Sequence, residues 1–191
     1  MTRKGWNELP NPDVLRDLLH YEPDTGKLFW KKRSQSMFED SEKSAVHKCR
    51  IWNSRYAFKE AFTALSSFGY LRGSIFNRHY VAHRVIWAIH TEKWPDHEID
   101  HINGNRSDNR IKNLRAVTRS ENQKNVKRPE NNTSGIIGVS WHSRTRTWRA
   151  RIGLGGKSKT IGYFLSIEDA RLARKAAEKK HGFHENHGRA S

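Results

Sequence analysis

A single cysteine, Cys49, occurs in the 191 residues. That excludes an internal disulfide and any zinc site built from several cysteines. No apolar run approaches the ~20 residues that span a bilayer. The N-terminal MTRKGWNELPNPD lacks the apolar core of a secretion leader, and no helix is predicted that is both strongly basic and strongly apolar, as an interfacial anchor would be. A cytoplasmic protein without a membrane partner is expected. Acidic residues are also scarce: 20 Asp and Glu face 36 Lys and Arg, for a net charge of +16 and a pI near 10.3. Such an excess bears on partners and not on fold. It points to a polyanion, and first to nucleic acid. Hydrophobic residues make up only 35%, yet they include 7 Trp, 8 Phe and 5 Tyr. Small aromatic cores fit that composition better than one large core.

Local chemistry marks out elements. In PNPDVLRDLLH (10–20), Asn11 can cap a short helix and Pro12 suits its first position, with Val14, Leu15, Leu18 and Leu19 as its apolar face. EPDTG reads as a turn and KLFWKK as a strand. Residues 34–48 are polar and without periodicity, which predicts a loop. Residues 69–90 predict a hairpin around Asn77–Arg78 that runs into a helix from about Val81, burying Ile86 and Trp87, with Pro95 ending it. VKRPENNTS (126–134) reads as a linker, which puts a domain boundary near residue 130.

The stretch EIDHINGNRSDNRIKNLRAVTRSENQKN (98–125) is dense in small polar residues and still ordered in pattern. EIDHI suits a strand. NGNRSDNR is turn chemistry, in which Asn105, Asp108 and Asn109 read as turn formers. NLRAV suits a returning strand, and Thr118 with Glu121 forms a capping box for a helix. The expectation is a ββα unit; its small polar residues either serve turns alone, or bring Asp100, His101 and Asn122 onto one metal ion and one phosphate. His79, His83, His90 and His97 read as structural or exposed, with His83 the first of them to be considered for the site.

This segment, with the upstream GYLRGSIFNRHYVAHRVIWAIHTEKWP, resembles the ββα-metal motif of HNH endonucleases, in particular the homing type of phages and introns. The resemblance implies that His101 is the general base. It implies that Asp100 and Asn122 bind one divalent cation, Mg²⁺ or Mn²⁺, and that Asn113 holds the hairpin loop and so orients His101. Many members have His where Asn122 stands; an amide oxygen is a weaker, harder ligand. NSRYAFKEAF (53–62) resembles another segment of these nucleases, in which glycine is usual where Phe58 stands, so a tight turn there must differ.

Residues 131–191 hold 12 Lys and Arg against 4 Asp and Glu. GIIGVSW, TWRARIGL and KTIGYF predict three strands, with Trp148, Ala150 and Ile152 alternating with Arg149 and Arg151. SIEDARLARKAAEKKHG predicts a helix capped by Ser166, with an Ala170, Ala173 and Ala177 stripe, closed by Gly182. Trp141 and Trp148 read as core. The pattern is similar to the AP2 DNA-binding domain. That resemblance implies a sheet lying in the DNA major groove, with Arg144, Arg146, Arg149 and Arg151 facing DNA and Lys157 and Lys159 near phosphates.

The expected fold class is therefore α+β: an HNH nuclease domain over 1–129, its ββα core at about 96–128, then an AP2-like three-stranded antiparallel sheet plus helix over 130–191. The expected function is a metal-dependent endonuclease acting on double-stranded DNA, nicking it or cutting both strands, without a small-molecule cofactor and as a monomer or a dimer. Two alternatives compete: a DNA-binding regulator with an inactive nuclease fold, and a structure-specific nuclease on branched nucleic acid.

Overall fold

The computed structural model describes residues 9–126 and 128–189. Residues 1–8 of the N-terminal stretch and Lys127 of the expected linker lie outside the described residues. Asn11 opens the first helix, α1 (Pro12–Leu18): its side chain accepts from the Asp13 amide at 2.9 Å, and Pro12 has no amide to leave unpaired. Leu15 and Leu18 are buried, while Val14 stays at the surface. The helix expected to reach residue 20 stops at Leu18, because Leu19 begins a hairpin. Its strands are β1 (Leu19–Glu22) and β2 (Lys27–Trp30), with Leu19 opposite Trp30.

The polar stretch predicted as a loop is one only in part. A helix, α2 (Ala45–Tyr56), starts within it, capped by the Ser44 side chain on the His47 amide, and buries only Ala45. A helix with one buried residue has no apolar period to read. The short strand β3 (Glu60–Ala61) then joins β2.

At the end of α2 the backbone doubles back through Phe58, whose φ is +65°. A bulky side chain is strained there, by about 1–2 kcal/mol. The turn is thus left-handed, of the kind that suits glycine. Phe58 is 76% exposed and gains little from packing. Phe58→Gly is expected to stabilise the fold by about 1 kcal/mol after glycine's extra chain entropy is subtracted. The urea midpoint followed by Trp fluorescence measures it, and an unchanged or lower midpoint counts against strain at this turn.

Strand β4 (Ala64–Leu65) pairs with β5 (Leu71–Ile75), which pairs with β6 (Arg78–Val81). Phe76 and Asn77, both at positive φ, make the two-residue turn between β5 and β6. The chain then enters α3 (Ala82–Thr91), whose buried face is Ala82, His83, Val85, Ile86 and Ala88; Trp87 is only partly buried. Strands β7 (Glu98–His101) and β8 (Leu114–Val117) form a two-stranded sheet. A short helix, α4 (Arg119–Asn122), follows with the expected capping box: Thr118 Oγ accepts from the Glu121 amide, and Glu121 accepts from the Thr118 amide.

Two compact units emerge. One runs to His101 and includes Asn105–Ala116; the other comprises Ile102–Gly104 and the chain from Val117 onward. The first has a core of Leu15, Leu18, Leu28, Ile75, Val85, Ile86, Ile99 and their neighbours. Each fully buried aliphatic side chain there contributes about 1.5–3 kcal/mol, and together they pack α3 against α1 and the β5–β6 hairpin. In the second unit β9 (Val139–His142), β10 (Thr147–Leu154) and β11 (Lys157–Phe164) form an antiparallel sheet with β10 central. Helix α5 (Ile167–Lys180) packs on it through Ala170, against Val139 and Ala150. The same helix buries an ion pair, Arg174 with Glu178 at 2.9 Å, and Arg174 also donates to the Arg151 carbonyl. No helix of the described residues is long and apolar enough to cross a membrane.

Candidate active site and nucleic-acid interface

Strand β7 delivers Asp100 and His101 side by side, and both are buried although both are polar. Burial of such groups demands partners, and the first unit supplies them. Arg115 on β8 donates Nε and Nη2 to the same Asp100 oxygen, at 3.0 and 2.8 Å. His101, 2% exposed, places Nε2 3.0 Å from the Asn109 side-chain oxygen. An amide oxygen only accepts, so Nε2 carries the proton and the lone pair of the neutral ring lies on Nδ1. Burial pushes the His101 pKa below its ordinary value, against the opposing pull of Asn109, Asp100 and Asp108. The ring is thus neutral at pH 7, the state a base needs.

The loop that carries Asn109 is held from several sides. Asn113 Nδ2 donates to the Asp108 carbonyl at 2.8 Å. The Asp108 carboxylate receives the Arg110 guanidinium through two bonds. The Tyr21 hydroxyl, on β1, donates to the Asn109 carbonyl and accepts from the Ile111 amide, at 3.0 and 2.8 Å. Gly26 leaves no room beside this loop: a Cβ there would lie 2.5 Å from the Arg110 nitrogen. Asn109 itself is 1% exposed. Read from sequence it is a turn former; in the fold it is the residue against the candidate base. Asn113 braces the loop through Asp108, one step further from His101.

His83 on α3 and Tyr70 complete the wall. The His83 ring stands edge-on to His101 with centroids 5.2 Å apart, and Tyr70 lies 5.0 Å from His83 and 5.9 Å from His101. Arg106 covers the Tyr70 ring and donates to the Phe68 carbonyl. His83 is driven down to about 3, first by burial and then by repulsion from His101 and Arg84. Its Nδ1 is buried without a hydrogen-bond partner. His79, His90 and His97 are exposed.

Among the described residues no cluster of three or more His, Cys, Asp or Glu side chains is set to cage a metal. A hard cation of the Mg²⁺ type needs no such cage, being held by one or two carboxylates together with phosphate oxygens and water. Asp100, oriented by Arg115 and adjacent to His101, is a donor of that chemistry. Asn122, at the C-terminal end of α4 in the second unit, offers an amide oxygen; its backbone amide donates to the Thr118 carbonyl at 2.9 Å.

In the second unit the strand register sorts the six basic candidates. Directly paired residues share a face of an antiparallel sheet. Arg149, between Ser140 and Tyr163, and Arg151, opposite Thr160, lie on the face away from α5. Arg144 and Arg146 are exposed in the turn before β10, Arg146 with a φ of +50°. Lys159 pairs with Ile152 and Lys157 with Leu154, which puts both lysines on the opposite face from Arg149 and Arg151. The cause is a bulge: Ala150 pairs with Gly162 and Arg151 with Thr160, so Ile161 is the extra residue. Trp148 packs against the core, whereas Trp141, 51% exposed, rests edge-on against it.

Residues 80–124 match the family model described as HNH endonuclease. A curated relative, Protein 3.8 of Escherichia phage T7, is 37% identical over 76 residues. That stretch is 39% of this chain, and it spans 63% of the relative's length. No solved structure matches the chain. The buried aspartate and histidine of β7 thus lie inside an HNH endonuclease-family domain at residues 80–124, in a chain with a phage homologue.

Proposed function

We propose that the protein is a metal-dependent DNA endonuclease of the homing type, which hydrolyses phosphodiester bonds in duplex DNA. The observation that carries this reading is the pairing on β7 of a neutral, buried His101, steered by Asn109, with Asp100, steered by Arg115. In it, His101 accepts through Nδ1 the proton of the water that attacks the phosphorus. The leaving 3′ oxygen and the phosphate gather negative charge as the bond breaks. A divalent cation, Mg²⁺ or Mn²⁺, bound by Asp100 and by the amide oxygen that the sequence motif assigns to Asn122, would supply Lewis-acid stabilisation of that charge. Asn113 and Asn109 keep the loop and ring in place and do not react.

The proposed division of labour is a nuclease domain over 1–129 and an AP2-type DNA-binding domain over 130–191. Arg149, Arg151, Arg144 and Arg146 would meet DNA from one face and its turn, and Lys157 and Lys159 would approach phosphates from elsewhere. The net charge of +16 supports a polyanionic partner.

The direct test is conversion of supercoiled plasmid to nicked or linear form in Mg²⁺ or Mn²⁺, wild type against Asn122→Ala. Activity in wild type and its loss in the variant, restored in part at higher Mn²⁺, are expected. Intact supercoiled plasmid in every wild-type reaction, on DNA that carries a genuine target, sinks the reading. Binding carries its own expectation. Each phosphate contact releases counterions, so log affinity against log salt should fall with a slope of about −4 or steeper. A flat response contradicts a phosphate-gripping surface.

A further inference from the structure

Phe58 combines three properties that do not belong together on an inert surface. Its backbone is in the left-handed region, where a bulky residue is an outlier. Its side chain is 76% exposed and so recovers little by packing. Its backbone is nonetheless held firmly: the Phe58 amide donates to the Trp30 carbonyl at 2.8 Å, the Trp30 amide to the Lys59 carbonyl at 3.0 Å, and the Lys59 amide to the Tyr56 carbonyl at 3.0 Å. A ring presented rigidly to solvent at a conformational cost is a device for a partner.

The surroundings identify the partner's chemistry. Helix α2 leads directly into Phe58 and contains no Asp or Glu. It presents Arg50 and Arg55, both exposed, Arg55 over the Tyr56 ring, and Lys59 follows Phe58. The one acid next to that lysine, Glu60, is neutralised by Lys27 at 2.8 Å. Trp52 of the same helix carries the Arg33 guanidinium over its ring, the carbon 3.8 Å from the ring centroid. An apolar wedge flanked by cations is what inserts between base pairs while phosphates are gripped on either side.

We propose that Phe58 is a wedge that enters a base step of duplex DNA, with Arg50, Arg55 and Lys59 holding the flanking phosphates. This rests on the reading of the protein as a DNA-acting enzyme and adds to it a contact surface outside residues 80–124. Insertion unstacks and unwinds the duplex, so the test is topological. Plasmid is relaxed by a metal-independent topoisomerase in metal-free buffer in the presence of the full chain carrying His101→Ala, two conditions that together suppress cleavage, and its linking number is read after the protein is removed.

The expected result is a linking-number deficit that grows with bound protein and disappears when Phe58→Gly is added, with affinity for a duplex at low salt about tenfold weaker. Phe58→Trp retains both. Because the glycine variant is expected to be at least as stable, unfolding does not explain its loss, and its urea midpoint verifies that. Arg50→Ala with Arg55→Ala should shallow the salt slope by about 1.8. An unchanged deficit and affinity in Phe58→Gly overturn the wedge while the DNA reading stands. A glycine variant impaired on anionic vesicles but normal on DNA overturns it in favour of a lipid surface. No plasmid binding at low salt by the Phe58-intact protein overturns the wedge and the DNA reading together.

Discussion

His101→Ala is expected to slow phosphodiester cleavage by about 10²–10⁴-fold, the range lost with a positioned base, while DNA affinity stays within a factor of two. The pH profile gives the sharper test. Because burial lowers the His101 pKa, the wild-type rate should be flat above neutrality and fall only as pH drops below 6.5, the ordinary imidazole value. Asn109→Asp puts a carboxylate where a neutral oxygen faces Nε2. It favours the imidazolium, so the acid limb should move to higher pH, by about a unit for a charge partner at this distance. Asn109→Ala should cut the rate by about 10–100-fold at pH 7.5 by releasing the ring, the scale seen when an orienting partner is lost. A purely structural Asn109 would lower stability in both variants and leave the limb unmoved; that outcome, or full activity in His101→Ala, removes His101 from the chemistry. Stability has the same sign. The unfolded chain binds the His101 proton more readily, so the folded state gains above pH 6.5 and loses as pH falls below it.

How much of this was legible in the sequence follows the range over which each interaction acts. The hairpin turn expected at Asn77–Arg78 falls one residue earlier, at Phe76–Asn77, while the α1 cap by Asn11 and the Thr118–Glu121 capping box, written in neighbours two or three residues apart, are both found. So is the strand, loop, strand and helix order of the HNH segment. What escaped depends on distant or non-periodic facts. Asn109 looks like a turn residue because its loop is one; what turns it toward His101 includes Tyr21, 88 residues away, and the Gly26 turn. Arg115 reaches Asp100 across β7 and β8, a partnership set by register and not by spacing. Helix α2 is invisible to an apolar-period reading since it buries only Ala45. The lysines of β11 part from the arginines of β10 through one bulged residue, Ile161, which no alternation rule places. Arg174 and Glu178, four apart on α5, lie buried, a fate that their spacing does not announce.

His83 carries the second large expectation. In the unfolded chain it titrates near 6.5, whereas in the fold burial holds it near 3. Between those values the unfolded state binds the proton and the native state does not, so stability is intact above pH 6.5 and is lost progressively as pH falls. One proton is worth about 1.4 kcal/mol per pH unit. The first unit should therefore lose about 2 kcal/mol between pH 7 and pH 5 from His83, and His101 adds to that loss. Urea midpoints at the two pH values, followed by fluorescence of the tryptophans, measure it. His83→Leu separates the cause from general acid sensitivity. The substitution fills similar space, removes the titrating ring and removes a buried Nδ1 with no hydrogen-bond partner. It should be neutral or stabilising at pH 7, since deleting an unsatisfied polar atom recovers its desolvation cost, and should recover most of the 2 kcal/mol at pH 5. The same variant should cleave DNA more slowly at pH 7.5, because the edge of His83 supports the His101 ring at 5.2 Å. A histidine kept at the expense of acid stability is then explained by the ring it braces. An unaltered pH 5 midpoint in His83→Leu would show that the acid loss arises elsewhere in the first unit, with His101, also lowered by burial, the next group to replace.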